Sequence, residues 1–248
     1  MKTPRRLALA LTLAATPALG FEMPEDEDAA QFVTSNIIST FYHELGHALI
    51  DVLDLPVLGK EEDAADSLSA VLTHQIWNEE AATQITYDTA YAYSLWAEDP
   101  EDWDSAFADT HSMNQQRYYT LVCLFYGADT KGREQVAIDL ELPEDRAAWC
   151  EDEFTQADES WAALLDGLEP SKKTKGLVLV DTDEDDPIAQ ILIEEIDALN
   201  ETYGLPKEVT VSVEPCGEAN AFYMPGERHI IMCTEYAEEM AQAWAQAE

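Results

Sequence analysis

Basic residues are scarce in this 248-residue sequence: 13 Lys+Arg stand against 51 Asp+Glu, a formal net charge of −38. A surface that negative repels phosphate backbones and anionic headgroups, which argues against nucleic acid and membrane surfaces as partners. It suits a monomer in a salty medium, or a protein that handles basic ligands. Long apolar runs are missing too. Leu7–Ala15 covers about half the length a membrane span needs, and no later stretch reaches the full length. There is no C-x-x-C pair, which argues against a cysteine-based metal site. No internal repeat or low-complexity tract is found. What is there is 46% apolar sequence, enough to fill a core, in a length that suits one ordinary domain or two small ones.

Lys2, Arg5 and Arg6 precede the Leu7–Ala15 run, and Pro17, Ala18 and Gly20 follow it. A basic region, a short apolar region and a small-residue exit are the parts of a secretory signal. Residues 1–20 are therefore expected to be a signal peptide, with a mature chain from Phe21 that is periplasmic or secreted and has no membrane association. The four cysteines, Cys123, Cys150, Cys216 and Cys233, fit an oxidising compartment and allow three pairings. Val209–Val213 alternates like a strand and Ile230–Met232 is a second β-type run, with Pro225-Gly226 suited to a type II turn between them. Such a hairpin places Cys216 nearly opposite Cys233 and leaves Cys123 to pair with Cys150.

Periodicity predicts a helix from Gln31 to about Leu53, broken by Leu55-Pro56 and Gly59. A second helix is expected from Glu61 into Glu79-Glu80, a third over Ile85–Trp96, and others over Gln115–Tyr126 and Glu144–Leu165. After Pro170 the character changes. A Lys-rich linker (Lys172-Lys173-Thr174-Lys175) leads to a strand at Leu177–Val180, a helix over Ile188–Tyr203, the hairpin, and a last helix over Glu238–Ala247. The expectation is an α+β protein, mostly helical, with a small disulfide-stapled hairpin or sheet in the C-terminal third. Residues 21–170 are expected to form the helical part, and residues 171–248 an α/β part completing the same domain.

One motif carries chemistry. His43-Glu44-Leu45-Gly46-His47 is HExxH, for which about 0.01 chance occurrences are expected at this length and composition. On a helix, i and i+4 put both imidazoles on one face, able to share a metal ion, with Glu44 placed to reach a metal-bound water as general base. A catalytic zinc site usually takes a third protein ligand. The next helix opens Glu61-Glu62-Asp63-Ala64-Ala65-Asp66, and the short Leu55–Lys60 connection can return it beside the first. Glu62 is read as the third ligand, although spacing alone leaves Glu61 and Asp63 open. Asp66 would accept the free N–H of a ligating histidine.

HExxH followed by Glu62-Asp63-Ala64-Ala65-Asp66 resembles the gluzincin peptidases, a zincin type in which E-x-x-A-D carries the glutamate ligand. The longer stretch Tyr42–Asp51 with Leu55–Gly59 resembles a narrower family of bacterial metallopeptidases of undetermined substrate. Asp109–Ser112 with Gln116–Tyr119, Cys123 with Tyr126-Gly127, and Cys216–Tyr223 with Pro225 and Cys233 resemble it too. The resemblance implies a zincin-like fold, a Zn2+ cofactor held by His43, His47 and Glu62, and a peptide or protein substrate. In many gluzincins a strand precedes the HExxH helix, whereas here the comparable segment follows it. Asn220, Ala221 and Phe222 are accordingly expected on a rim strand that pairs with an extended substrate. His111 and then Tyr223 are the candidates for stabilising an oxyanion, and His74 is read as structural. The alternatives are a catalytically silent zinc-binding scaffold, a secreted binding protein with an accidental HExxH, and a hydrolase of non-peptide amides.

Overall fold

A computed structural model describes residues 21–97 and 103–247 of the protein. The expected signal peptide, residues 1–20, lies outside the described residues. Ten helices are described: α1 Glu27–Val52, α2 Glu61–Ile76, α3 Glu79–Leu95, α4 Trp103–Ala108, α5 Asn114–Ala128, α6 Glu134–Asp139, α7 Glu144–Ala147, α8 Cys150–Leu165, α9 Pro187–Thr202 and α10 Thr234–Ala247. Four strands, β1 Leu177–Leu179, β2 Val209–Glu214, β3 Ala221–Met224 and β4 His229–Cys233, form one sheet in the C-terminal part. The fold class is α+β, mostly helical.

Helix α1 starts where Asp26 accepts a hydrogen bond from the Ala29 amide, and Glu27 and Asp28 meet the positive end of the helix dipole. Further along, the buried residues are consecutive: Ser35 to Ser39, then Phe41 to Gly46. A helix buried on all sides runs through the interior. It packs against α2, α3, α9, α10, β3 and β4, and one continuous apolar core joins these elements. The buried Tyr42 hydroxyl donates to Glu195 on α9 and accepts from Trp77 Nε1, which fixes α9 beside the HExxH turn.

Several expected boundaries move. The second helix ends at Ile76, short of Glu79-Glu80, because Asn78 caps a new helix by accepting from the Ala81 amide at 3.1 Å. The third therefore begins at Glu79, ahead of Ile85. The expected Glu144–Leu165 helix is divided at residues 148–149. There α8 meets α5 so closely that a Cβ on Gly127 would lie 2.0 Å from the Cys150 carbonyl oxygen, and the Cys123–Cys150 disulfide ties the two helices at that point. The last helix starts at Thr234, directly after β4, ahead of Glu238.

The sheet corrects the hairpin. Its strand order is β1-β2-β4-β3, with β1-β2 and β2-β4 parallel and β3-β4 antiparallel. Val209–Val213 and Ile230–Met232 are parallel neighbours, and the arm that pairs antiparallel with β4 is Ala221–Met224. Alternation identified the strands but carries no information on their order. Gly226 does not adopt the left-handed conformation of a type II turn; in the 225–228 loop Arg228 does so, at φ 53°. The Cys216–Cys233 disulfide forms for a different reason from the one expected. The parallel register sets Glu214 beside Cys233, and Cys216 follows two residues later. Strand β3 is left at the sheet edge, against α1.

Candidate metal centre

The site is built on a close crossing of two helices. A Cβ on Gly46 would lie 2.8 Å from the Ala65 Cα, so α1 and α2 approach backbone to backbone. One turn of each helix then faces the other: His43 and His47 from α1, Glu62 and Asp66 from α2. The approach is reinforced where the Ser69 hydroxyl donates to the Ser39 carbonyl at 2.8 Å.

The side chains converge on one point. His43 Nε2 and His47 Nε2 are 3.2 Å apart and lie 3.2 and 3.1 Å from Glu62 Oε2. Each ring's other nitrogen is held by a carboxylate: His43 Nδ1 is 2.7 Å from Asp66 Oδ1, and His47 Nδ1 is 2.8 Å from Glu61 Oε1. Asp66 is gripped in turn by Arg117 of α5, whose Nε and Nη2 each donate at 2.8 Å to its two oxygens. His111, in the loop before α5, places Nε2 3.0 Å from the same Glu62 oxygen, and its Nδ1 lies 3.1 Å from Asp109 Oδ1. That loop is pinned to the start of α2 by Lys60, which donates to the His111 carbonyl, and by Ser112, which donates to Asp63.

Charge is strongly biased here. Burial opposes the charge on Glu62, but hydrogen bonds with His111, His43 and His47 hold its carboxyl far below the ordinary carboxylate range. Burial likewise opposes ionisation of Asp66, and Arg117 and His43 hold it well below its usual value. Burial disfavours a charged His43 ring, yet its bonds to Asp66 and Glu62 push its pKa up to about 9. Glu44 is 7% exposed and makes no hydrogen bond to a described side chain. Burial raises its pKa, against the pull of His43 and His47.

A cleft of about 630 Å³ opens over these groups, lined by His43, Glu44, His47, Glu62 and His111 on one side and by Asn220, Ala221, Phe222 and Tyr223 on the other. The structure thus brings the β3 edge to the histidines. Tyr223 stands apart from the other candidates: its hydroxyl donates to Asp51 at 2.6 Å, one helical turn beyond His47. His74 Nδ1 accepts from the Arg133 guanidinium at 3.0 Å, and the ring packs on Phe154, away from the cleft.

The donor set fits a divalent cation. With each Nδ1–H given to a carboxylate, each Nε2 presents a lone pair, and two lone pairs and a carboxylate oxygen about 3.2 Å apart repel unless a proton or a cation sits among them. Two imidazoles and one carboxylate are a ligand set of borderline metal ions. Among the described residues Cys216, Cys233 and Glu235 also cluster, but the two sulfurs are bonded to each other.

A family model described as "Putative metallopeptidase" matches residues 14–165 and 184–248. The chain belongs to that metallopeptidase family. No curated protein and no solved structure matches it. The matched segments contain α1, α2, the His111 loop, β3 and β4, so the whole convergent cluster of this family member lies within them.

Two members of the cluster escaped the reading of the sequence. Glu61 was only an alternative to Glu62, and it faces the second histidine as Asp66 faces the first. Arg117 is not announced by the sequence, because its partner lies 51 positions away. Its one signal is rarity: a cation inside an apolar-periodic helix needs an internal anion.

Proposed function

We propose that this chain is an exported zinc metallopeptidase, with His43, His47 and Glu62 as ligands and Glu44 as general base. The observation that carries this reading is the convergence of two Nε2 atoms and one carboxylate oxygen, with the buried Glu44 beside them. Bound there, zinc supplies Lewis acidity toward a peptide carbonyl and brings the pKa of water down to roughly 7.

The chain's own groups do the rest. Glu44 takes a proton from the attacking water and delivers it to the leaving amine. His111 donates from Nε2 to the oxyanion, with Asp109 holding its Nδ1–H and the Lys60 and Ser112 contacts fixing the loop. Tyr223 is the weaker candidate for that task because its hydroxyl serves Asp51, a full turn beyond His47, whereas the Glu62 oxygen that meets His111 Nε2 is the one a bound metal would take up. Asp66 and Glu61 orient the two ligating rings. The unpaired edge of β3, at Asn220–Phe222, adds an extended substrate as a further strand.

Export rests on the signal-like residues 1–20 and on the two disulfides. No described helix is long and apolar enough to cross a membrane. Peptide-library cleavage by zinc-loaded protein tests the activity. It should be lost by at least about 100-fold in Glu44→Gln with zinc still bound, and cleavage indifferent to that substitution would refute the mechanism.

A further inference from the structure

Behind the metal centre lies a second space. A cavity of about 160 Å³ shares His43, Glu44, His111 and Asn220 with the cleft and reaches inward between α1, α3 and α5. Its inner wall is polar. Thr89 is 4% exposed and its Oγ1 has no hydrogen-bond partner among the described residues. Arg117 lines the same wall and spends only Nε and Nη2 on Asp66, leaving Nη1 with no hydrogen bond to a described residue. Tyr93, whose ring lies under the guanidinium at 4.6 Å, contributes a hydroxyl in the same condition. A wholly buried hydroxyl without a partner, as at Thr89, is rare in folded proteins and marks a place where a ligand or a water supplies one. Arg117 and Tyr93 are half-buried and keep capacity for a further hydrogen bond.

We propose that this cavity is a specificity pocket that takes the carboxamide side chain of a glutamine or asparagine from the bound peptide. The inference rests on the peptidase reading of the cleft and names its substrate class. A space of this volume holds a group about the size of a benzene ring, which accommodates either amide. The carboxamide oxygen accepts from Arg117 Nη1, and its NH2 donates to the Thr89 or Tyr93 hydroxyl.

Other side chains fit less well. An apolar group would leave the guanidinium and both hydroxyls without water or partner. A lysine or arginine would bring a second cation against Arg117, and of the two carboxylates in the pocket Asp66 is already engaged by Arg117 and His43, which leaves Glu44 alone to offset it. A glutamate or aspartate would be a third carboxylate beside Glu44 and Asp66, facing one guanidinium already paired with Asp66.

The test reads binding, so it does not depend on turnover. Zinc-loaded Glu44→Gln protein with labelled threonine methyls is titrated with acetyl-Ala-X-Ala amides in which X is Gln, Asn, Leu, Glu or Lys. The Gln or Asn peptide should move the Thr89 methyl resonance and bind at least about tenfold more tightly than the other three. Thr89→Val should fold with no loss of thermal stability and erase that preference. A Leu, Glu or Lys peptide that binds as well, a Thr89 methyl that does not respond, or an unchanged preference in Thr89→Val would each overturn the pocket. Amide-selective binding without cleavage of any peptide by the native protein would instead defeat the peptidase reading and leave the pocket standing.

Discussion

Arg117 and Asp66 form a two-pronged pair across α5 and α2, each bond 2.8 Å, and the oxygen of Asp66 that receives Arg117 Nη2 also meets His43 Nδ1. The arginine therefore acts on the metal centre at one remove, by fixing the carboxylate that fixes the ring. Asp66→Asn should weaken zinc affinity by about 10- to 100-fold with the fold retained, measured by competition against a chelator. Arg117→Ala strands a buried carboxylate and should cost about 3–5 kcal/mol in urea unfolding. Equal zinc affinity in Asp66→Asn would show that the pair serves packing alone.

The Gly46–Ala65 crossing makes a second prediction. Gly46→Ala would set a Cβ 2.8 Å from the Ala65 backbone and push α1 and α2 apart. Overpacking of this kind costs about 1–3 kcal/mol. Because the crossing sets the distance between the histidines and Glu62, zinc affinity should fall along with stability. In a helix free of this contact the same change would stabilise, so a higher melting temperature would rule out the close approach.

Protonation gives a third. The pKa of His43 is raised on folding in the chain without metal, to about 9 from an ordinary 6.5, and that of His47 rises as well. A group shifted upward contributes its full stability below the unfolded value and loses it as pH climbs through the folded one. Chelator-treated protein should therefore lose thermal stability between about pH 6.5 and pH 9. Zinc-loaded protein should lose little, since the ion replaces the proton between the rings. Parallel melting curves for the two forms across that window would count against the shared site.

The first two helices and their motif were legible because each signal is local. HExxH needs only one helical turn, and Glu62 and Asp66 one more, joined by a short loop that forces the two turns together. The Trp77-Asn78 break was not legible, because a cap is two residues inside a long run of helix-compatible sequence. Strand order escaped as well. Val209–Val213 and Ile230–Met232 read as strands from alternation alone, while their parallel pairing depends on β4 inserting between β2 and β3. Arg117 and the unpaired Thr89 hydroxyl were invisible for the same reason: their meaning lies in neighbours dozens of residues away.

A zinc count on purified protein reaches the core of the account most directly. Elemental analysis after dialysis against zinc should find one ion per chain in the native protein, and far less in His47→Ala and in Glu62→Gln. Native protein that holds no metal, or variants that hold as much as the native chain, would contradict the assignment of His43, His47 and Glu62 as its ligands.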